Sequence, residues 1–297
     1  MHVREILREI RDKLLSSDKF FYGYDLLHPY IDFVLNGRSR NKSLFEIAEK
    51  SNDPIIADFK DFKMLIDRNS LQDLEFLDCA VNSKFYEQET TEIISKSIRT
   101  GMTFVDIGAN SGYFSLLVSS ILGTAGKIFA IEPTPSTYER MVKNIQYNNF
   151  KNIKPYNVAL SEKSGFSYIF VDPVSDGSNS LVENKNRRKY KVTLSTLDDI
   201  MLPSLPDLVK IDVEGFEYEV LKGASKTILE NEKVRLIIEQ NRHWLRVRKQ
   251  GYDNVINLLR ENGFKIFEIQ KIGGLSKSEI ISHKQLDKYW SNLYCYK

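Results

Sequence analysis

Two short runs place chemistry-bearing side chains at spacings that chance seldom supplies. The first is Phe104-Val-Asp-Ile-Gly-Ala-Asn-Ser-Gly-Tyr-Phe114. A hydrophobic strand runs into Asp106, the turn carries Gly108, Asn110 and Gly112, and an apolar helical stretch follows. Glycines there let the backbone turn tightly and come close to a ligand. The pattern is D-x-G-x-x-x-G, not the G-x-G-x-x-G of a dinucleotide fingerprint, which counts against a nicotinamide oxidoreductase. Glu132 closes the next strand, where a carboxylate can accept both hydroxyls of a ribose. The second run is Lys210-Ile-Asp-Val-Glu-Gly-Phe-Glu217. Alternate residues of an extended chain share a face, so Lys210, Asp212 and Glu214 lie together. Charges at the end of a central strand are costly to bury unless they are paired or used, so this is a catalytic cluster or a Lys–Asp ion pair. Asn157, at the exit of a third strand, either edges a nucleobase or simply ends the strand.

These residues need a scaffold, and hydrophobic periodicity supplies one. Residues 1–57 read as a helical extension: Val3, Ile6, Leu7, Ile10 and Leu14 form one apolar helix face. An aromatic-rich stretch follows within it, suited to packing, to a homodimer contact or to a cap over a substrate. From residue 58 to 297 the pattern is α/β. Strands are expected at 62–66, 102–107, 127–132, 153–158, 165–171, 189–194, 208–213, 234–239, 265–269 and 293–296. Helices are expected at 87–98, at 135–147 with proline in the first turn, and at 252–262 closed by Gly263. Apolar strands alternating with amphipathic helices imply a mostly parallel sheet covered on both faces. Ligands of such sheets bind beyond the carboxyl ends of the strands, which here carry Asp106, Glu132, Asn157, Asp212, Glu214 and Glu239.

With 42% hydrophobic and 28% charged residues, the composition is that of a globular chain. A formal net charge of +2 gives no global reason to expect a nucleic-acid partner. Cys79 and Cys295 have no metal-ligand spacing and suit a reducing compartment. No apolar run approaches the roughly 20 residues of a membrane span, and the charged N-terminus does not read as a signal peptide. A cytoplasmic protein is expected.

Several further segments follow one another in an order that resembles a known family: Val105-Asp-Ile-Gly-Ala-Asn-Ser-Gly-Tyr, Ile131-Glu-Pro-Thr-Pro, Asn157-Val-Ala-Leu-Ser, Ser195-Thr-Leu-Asp-Asp, Leu208 to Glu217, Leu221-Lys-Gly-Ala and Ile237-Ile-Glu. The set, over roughly residues 58–270, resembles the FkbM family of S-adenosylmethionine (SAM) dependent O-methyltransferases. Phe85-Tyr-Glu87 resembles the segment that precedes the family's first motif. The resemblance implies a class I, Rossmann-like sheet of seven core strands with the last antiparallel. It also implies SAM as cofactor, S-adenosylhomocysteine as product, and methylation of a hydroxyl on a sugar, glycan or other small molecule. Cofactor contacts would then fall to Glu87, Asp106, Gly108, Asn110, Gly112, Glu132, Asn157 and Asp212. Acids there suit a positively charged ligand.

Methyl transfer to an alcohol needs alignment and a proton acceptor. Asp212, Glu214 and His243 are the catalytic candidates. Asp212 could instead hold the cofactor's amino group, leaving Glu214 or His243 as base. Three convergent acids, Asp212, Glu214 and Glu239, could hold a cation, but their spacing requires no metal. Lys210, Glu239, Arg242 and Trp244 are candidate acceptor contacts, with Trp244 stacking on a sugar face. Arg246, Arg248 and Lys249 surround it, and Lys185, Arg187, Arg188, Lys189 and Lys191 form a second basic cluster. Asp176-Gly-Ser-Asn-Ser180 reads as a lid or a polar turn. Alternatives are an RNA or tRNA methyltransferase, on the strength of the basic clusters, and a non-catalytic SAM-binding scaffold.

Overall fold

The computed structural model describes residues 54–68, 70–171, 179–185, 187–249, 251, 253–270, 274–286 and 290–297, without the side chains of Leu71, Arg242, His243 and Trp290. The helical reading of residues 1–53 lies outside the described residues, as do positions 176–178 of the lid motif. Among the described residues no helix is long and apolar enough to cross a membrane.

The chain enters through a hairpin of β1 (Ile55–Asp58) and β2 (Lys63–Ile66), so residues 55–57 belong to a strand and not to the helical extension. Helices α1 (Leu71–Val81) and α2 (Gln88–Ser97) follow. The central elements are β3 (Thr103–Ile107), α3 (Tyr113–Leu122), β4 (Lys127–Ile131), α4 (Pro135–Tyr147) and β5 (Ile153–Tyr156). A small sheet is then built from β6 (Ala159–Leu160), β7 (Gly165–Val171) and β8 (Arg188–Ser195). The chain continues through α5 (Leu197–Met201), β9 (Leu208–Ile211), α6 (Glu217–Lys222), β10 (Arg235–Asn241), α7 (Arg242–Val247) and α8 (Asn254–Glu261). It closes with β11 (Lys265–Gln270), β12 (Gly274–Leu275) and β13 (Trp290–Tyr296).

The main sheet has the order β12-β11-β13-β10-β9-β3-β4-β5. Strands β10, β9, β3, β4 and β5 run parallel to one another, and β13 is antiparallel to both β10 and β11. This is the expected seven-strand core with its last strand reversed, plus the two-residue β12 at one edge. The separate sheet β6-β8-β7 is a departure, because the pattern at 165–171 and 189–194 identified strands but not their partners. Two apolar layers cover the main sheet. Phe104, Leu116, Ile128 and Met141 belong to the layer under α3 and α4. Val105, Ile107, Val209, Val220 and Ile256 belong to the layer under α6 and α8. The alternation along β3 explains both memberships.

The hairpin is fastened to α4 by two amides. Asn148 Oδ1 accepts from the Lys63 N–H at 2.8 Å and Asn144 Oδ1 from the Leu65 N–H at 2.7 Å, which satisfies an edge that would otherwise be open.

Candidate active site

A cavity of about 390 Å³ opens at the carboxyl ends of β3, β4, β9 and β10, in the size range of small-ligand sites. Its floor is the turn after β3. Gly108 and Ala109 both donate to the Ile131 carbonyl at 3.0 Å, holding this turn against β4. Gly108 has φ +80° and touches the next strand: a Cβ there would sit 1.7 Å from the Asp212 carbonyl oxygen. Gly112 has φ +98° and faces Met141, not the cavity. Asn110, also left-handed at φ 51°, accepts the Ser111 N–H on its own side chain at 2.6 Å.

Glu132 lines the cavity and is buried. One oxygen accepts the Asn110 N–H at 3.1 Å and the other the Thr134 N–H at 2.8 Å. Each carboxylate oxygen can take two hydrogen bonds, so capacity for ligand hydroxyls remains. Asn157 does not reach the cavity: its amide donates to the Glu132 and Pro133 carbonyls at 2.9 and 3.0 Å. Val158, Ala159 and Leu160 line that side in its place.

Asp106 also sits elsewhere than expected. Strand alternation turns it to the α3 side with Phe104, where it is buried and accepts the Ser115 hydroxyl at 2.7 Å. It is absent from the cavity lining. Its other oxygen, Oδ1, is buried with no hydrogen-bond partner. Burial pushes this carboxyl above its ordinary range, and the Lys210 ammonium works against that rise.

Lys210 is the sole cation lining the cavity among the described residues. Only 3% exposed, it donates to Asp212 at 2.7 Å and lies 4.8 Å above the Phe114 ring. Burial alone would lower its pKa. Asp212, Glu87 and Asp106 outweigh that and hold it above the ordinary lysine value. The Lys–Asp ion pair that was one alternative at this motif is present, and both of its members line the cavity. Burial would raise Asp212, but Lys210 and a hydrogen bond with Glu239 keep it below the usual range. Glu239 is driven well up by burial, then by the charges of Asp212 and Glu214. Of these two carboxyls, Glu239 therefore has the higher proton affinity and Asp212 the lower. Glu87, left-handed at φ 38° ahead of α2, lines the same wall and is raised by burial. Asn292 of β13 donates to it at 3.4 Å.

Glu214 is left-handed too, at φ 51°, and burial followed by Asp212 and Glu217 pushes its carboxyl well up. It takes a hydrogen bond from the Trp244 side chain, while its Oε2 is buried without a partner. Trp244 therefore braces Glu214 and is not among the residues lining the cavity. Asp212, Glu214 and Glu239 each place an oxygen within 4.8 Å of the others. A cation could be held there, but the Lys210 ammonium already serves Asp212. The backbone of Arg242 and His243 begins α7, and their side chains lie outside the described residues.

The cavity lining also includes aromatic residues that the sequence reading gave no role, and the last residue of the lid motif. Tyr86, Tyr113 and Phe114 form an aromatic wall, with Tyr86 and Tyr113 centroids 5.4 Å apart edge to face. Ser180, at the end of the lid motif, donates to the Glu214 carbonyl at 3.2 Å and lines the cavity. Of the second basic cluster, Lys189 and Lys191 share the exposed face of β8, where Lys189 lies 4.7 Å over Tyr168 and Lys191 lies 4.3 Å over Phe166.

Glu217 starts α6 beneath this turn and accepts the Gly215 and Val213 N–H groups at 3.1 and 3.3 Å. Burial pushes its pKa up to about 7 from an ordinary 4.5. The folded state thus binds this proton more tightly, so its stabilisation is full below about 4.5 and is lost as pH rises through about 7. Glu217→Gln keeps an acceptor without the charge. It should raise stability at pH 8 by on the order of 2 kcal/mol and flatten the stability profile between pH 5 and 8. Thermal melts across that range check it, and a Tm at pH 8 no higher than the parent's would contradict it.

Residues 106–266, more than half of the chain, match the Methyltransferase FkbM domain. Among curated proteins, Methyltransferase sdnD of Sordaria araneosa is 29% identical over 196 residues, covering 54% of this chain and 73% of that protein. The Hexuronic acid methyltransferase AglP of Haloferax volcanii is 27% identical over 147 residues, 48% of this chain and 58% of its own length. Among solved structures, Methyltransferase FkbM from Methylobacillus flagellatus KT superposes with a TM-score of 0.45 at 16% identity, covering 86% of this chain and 59% of that one. By the segment it matches, the chain belongs to the FkbM methyltransferase family.

Proposed function

We propose that the cavity binds SAM and that the protein methylates a hydroxyl of a sugar or glycan-containing metabolite. One observation carries the cofactor assignment. Glu87, Glu132, Asp212, Glu214 and Glu239 line a cavity whose single described cation, Lys210, is already paired. Such a lining is short of positive charge, which a sulfonium and an ammonium would supply. Glu132 and the Asn110 turn are arranged for the ribose, and Val158 to Leu160 offer an apolar edge for the base. Asp212, ionised and fixed by Lys210, suits the ammonium. When bound, SAM supplies an electrophilic methyl group on a positively charged sulfur.

The chain's own residues have the remaining work. Glu214 lines the cavity, keeps one buried oxygen without a partner and has a raised proton affinity, the properties of a general base once ionised. Positive charge arriving beside Asp212 and Glu239 lowers the proton affinity of the whole acid group. Tyr86 and Tyr113 exclude water from one wall. The hexuronic acid methyltransferase among the relatives supports the sugar class, at 27% identity over about half of this chain.

Titration calorimetry with SAM tests the cofactor reading. Glu132→Ala should weaken binding roughly tenfold, the loss of paired charge-assisted hydrogen bonds. S-adenosylhomocysteine release with a panel of methyl glycosides tests the acceptor. Undiminished SAM affinity in Glu132→Ala would show that the ribose lies elsewhere.

A further inference from the structure

Glu214 sits in a backbone conformation that a glutamate adopts only under constraint, φ 51°, and the next residue, Gly215, has φ +95°. Consecutive left-handed residues persist where surrounding contacts over-determine them. Here the polar backbone of the turn is engaged from three sides. Glu217 takes the Val213 and Gly215 N–H groups from below. Ser180 donates to the Glu214 carbonyl from the cavity roof at 3.2 Å. The Gly215 carbonyl accepts Arg248, which lies beyond α7.

Arg248 does more than cap that carbonyl. Its guanidinium makes a two-pronged pair with Glu219 of α6, at 2.9 and 2.7 Å, and its Cζ lies 3.7 Å from the centre of the Phe216 ring. Both charged side chains are mostly buried, at 15% and 19% exposure, so the pair is shielded from solvent. The same segment presses Trp244 against Gly215, where a Cβ would lie 2.6 Å from the Trp244 Cβ. Trp244 in turn bonds the Glu214 carboxylate.

We propose that Arg248, acting with Glu219, is a positioning residue that fastens the 213–216 turn and so aims the Glu214 carboxylate into the cavity. This rests on the reading of Glu214 as proton acceptor. Arg248 was grouped with possible acceptor-binding residues on sequence grounds, but its guanidinium is committed to Glu219, Gly215 and Phe216. Lysine cannot reproduce the planar two-pronged contact, so Arg248→Lys should behave much like Arg248→Met.

The test uses the full chain with Arg248→Lys, Arg248→Met and Glu214→Gln, read in two independent ways. The chain has two tryptophans, so the Trp244 indole N–H is one of two such resonances in a ¹⁵N spectrum, assigned with Trp244→Phe. In both Arg248 variants that resonance should shift and its hydrogen exchange should speed up, with SAM affinity within about twofold of the parent. With methyl glycosides as acceptors, kcat should fall roughly 10- to 100-fold while KM for SAM stays put, as expected for a misplaced catalytic group. Adding Glu214→Gln to Arg248→Met should cost little more than Glu214→Gln alone, because the two act through one carboxylate. An unmoved Trp244 resonance in the folded variants overturns the proposal whatever the turnover. A loss of SAM affinity equal to the loss of turnover overturns it as well, since the effect is then a general one. A shifted resonance with parent-like turnover in both Arg248→Met and Glu214→Gln leaves the clamp standing and removes Glu214 from the chemistry.

Discussion

Gly108→Ala is expected to abolish measurable SAM binding and to destabilise the fold by about 3 kcal/mol or more. The added Cβ would stand 1.7 Å from a backbone oxygen of Asp212, an atom that no rotamer change can move. That carbonyl belongs to the residue after β9, whose N–H donates to Ile107 at 3.0 Å, so relief requires separating two central strands. The φ of +80° adds strain of its own for any L side chain. Gly112→Ala makes a telling control, since its Cβ would meet the flexible Met141 side chain at 3.1 Å and not backbone. Calorimetry with SAM and a thermal melt decide the matter. A Gly108→Ala protein that binds SAM like the parent would mean that the two strands do not approach as described.

Lys210→Met should be the most damaging change that adds no bulk. It strips the buried ammonium from Asp212 at 2.7 Å and removes the positive charge that offsets burial of Asp106 and Glu87. Breaking a buried pair by deleting one partner typically costs about 3–5 kcal/mol. For a domain of this size that corresponds to a Tm lower by roughly 10 °C. The sign of the pH dependence follows from which charges remain. Acidification protonates the abandoned carboxyls, so the deficit should shrink between pH 8 and pH 5. A deficit that is small or independent of pH would show that water reaches these acids freely. Asp212→Asn should be milder, because Lys210 retains Asp106 and Glu87 as neighbours.

The sheet was legible in the sequence because its strands are short apolar runs bounded by glycine, proline and polar turns. Helix α4 appears at its expected bounds, with proline in its first turn as foreseen. What periodicity cannot convey is which strand lies beside which, and so β7 and β8 were recognised as strands without being separated from the main sheet. Residues 55–57 were read as helix because a four-residue hairpin strand leaves too short an alternation to compete with the pattern ahead of it. In the site, alternation correctly grouped Lys210 with Asp212, whereas Glu214 reaches them from a left-handed turn beyond the strand, which alternation does not describe. The same rule places Asp106 on the α3 side, since it shares a face with Phe104, and Phe104 belongs under α3. Arg248 was read as a possible acceptor contact, and Glu219 and Glu217 were given no role, because the Arg248 partners lie 29 to 33 positions away and those of Glu217 in a local backbone turn, neither of which a motif records.

The glycine loop is also tied to parts of the chain that lie outside the segment by which the family is identified. Ser111 donates to Asp73 of α1 at 3.0 Å, Asp73 receives the Asp67 N–H at 2.9 Å, and Asn144 joins the Ser111 carbonyl to the β2 edge. At the other end, Asn292 of β13 reaches Glu87. A fragment cut to residues 106–266 would carry the glycine loop, Glu132 and the Lys210–Glu217 run and still lack the struts of its own binding loop. The heritable mark of this family and its smallest working part are therefore different lengths of chain, and expression boundaries drawn from the first would miss the second.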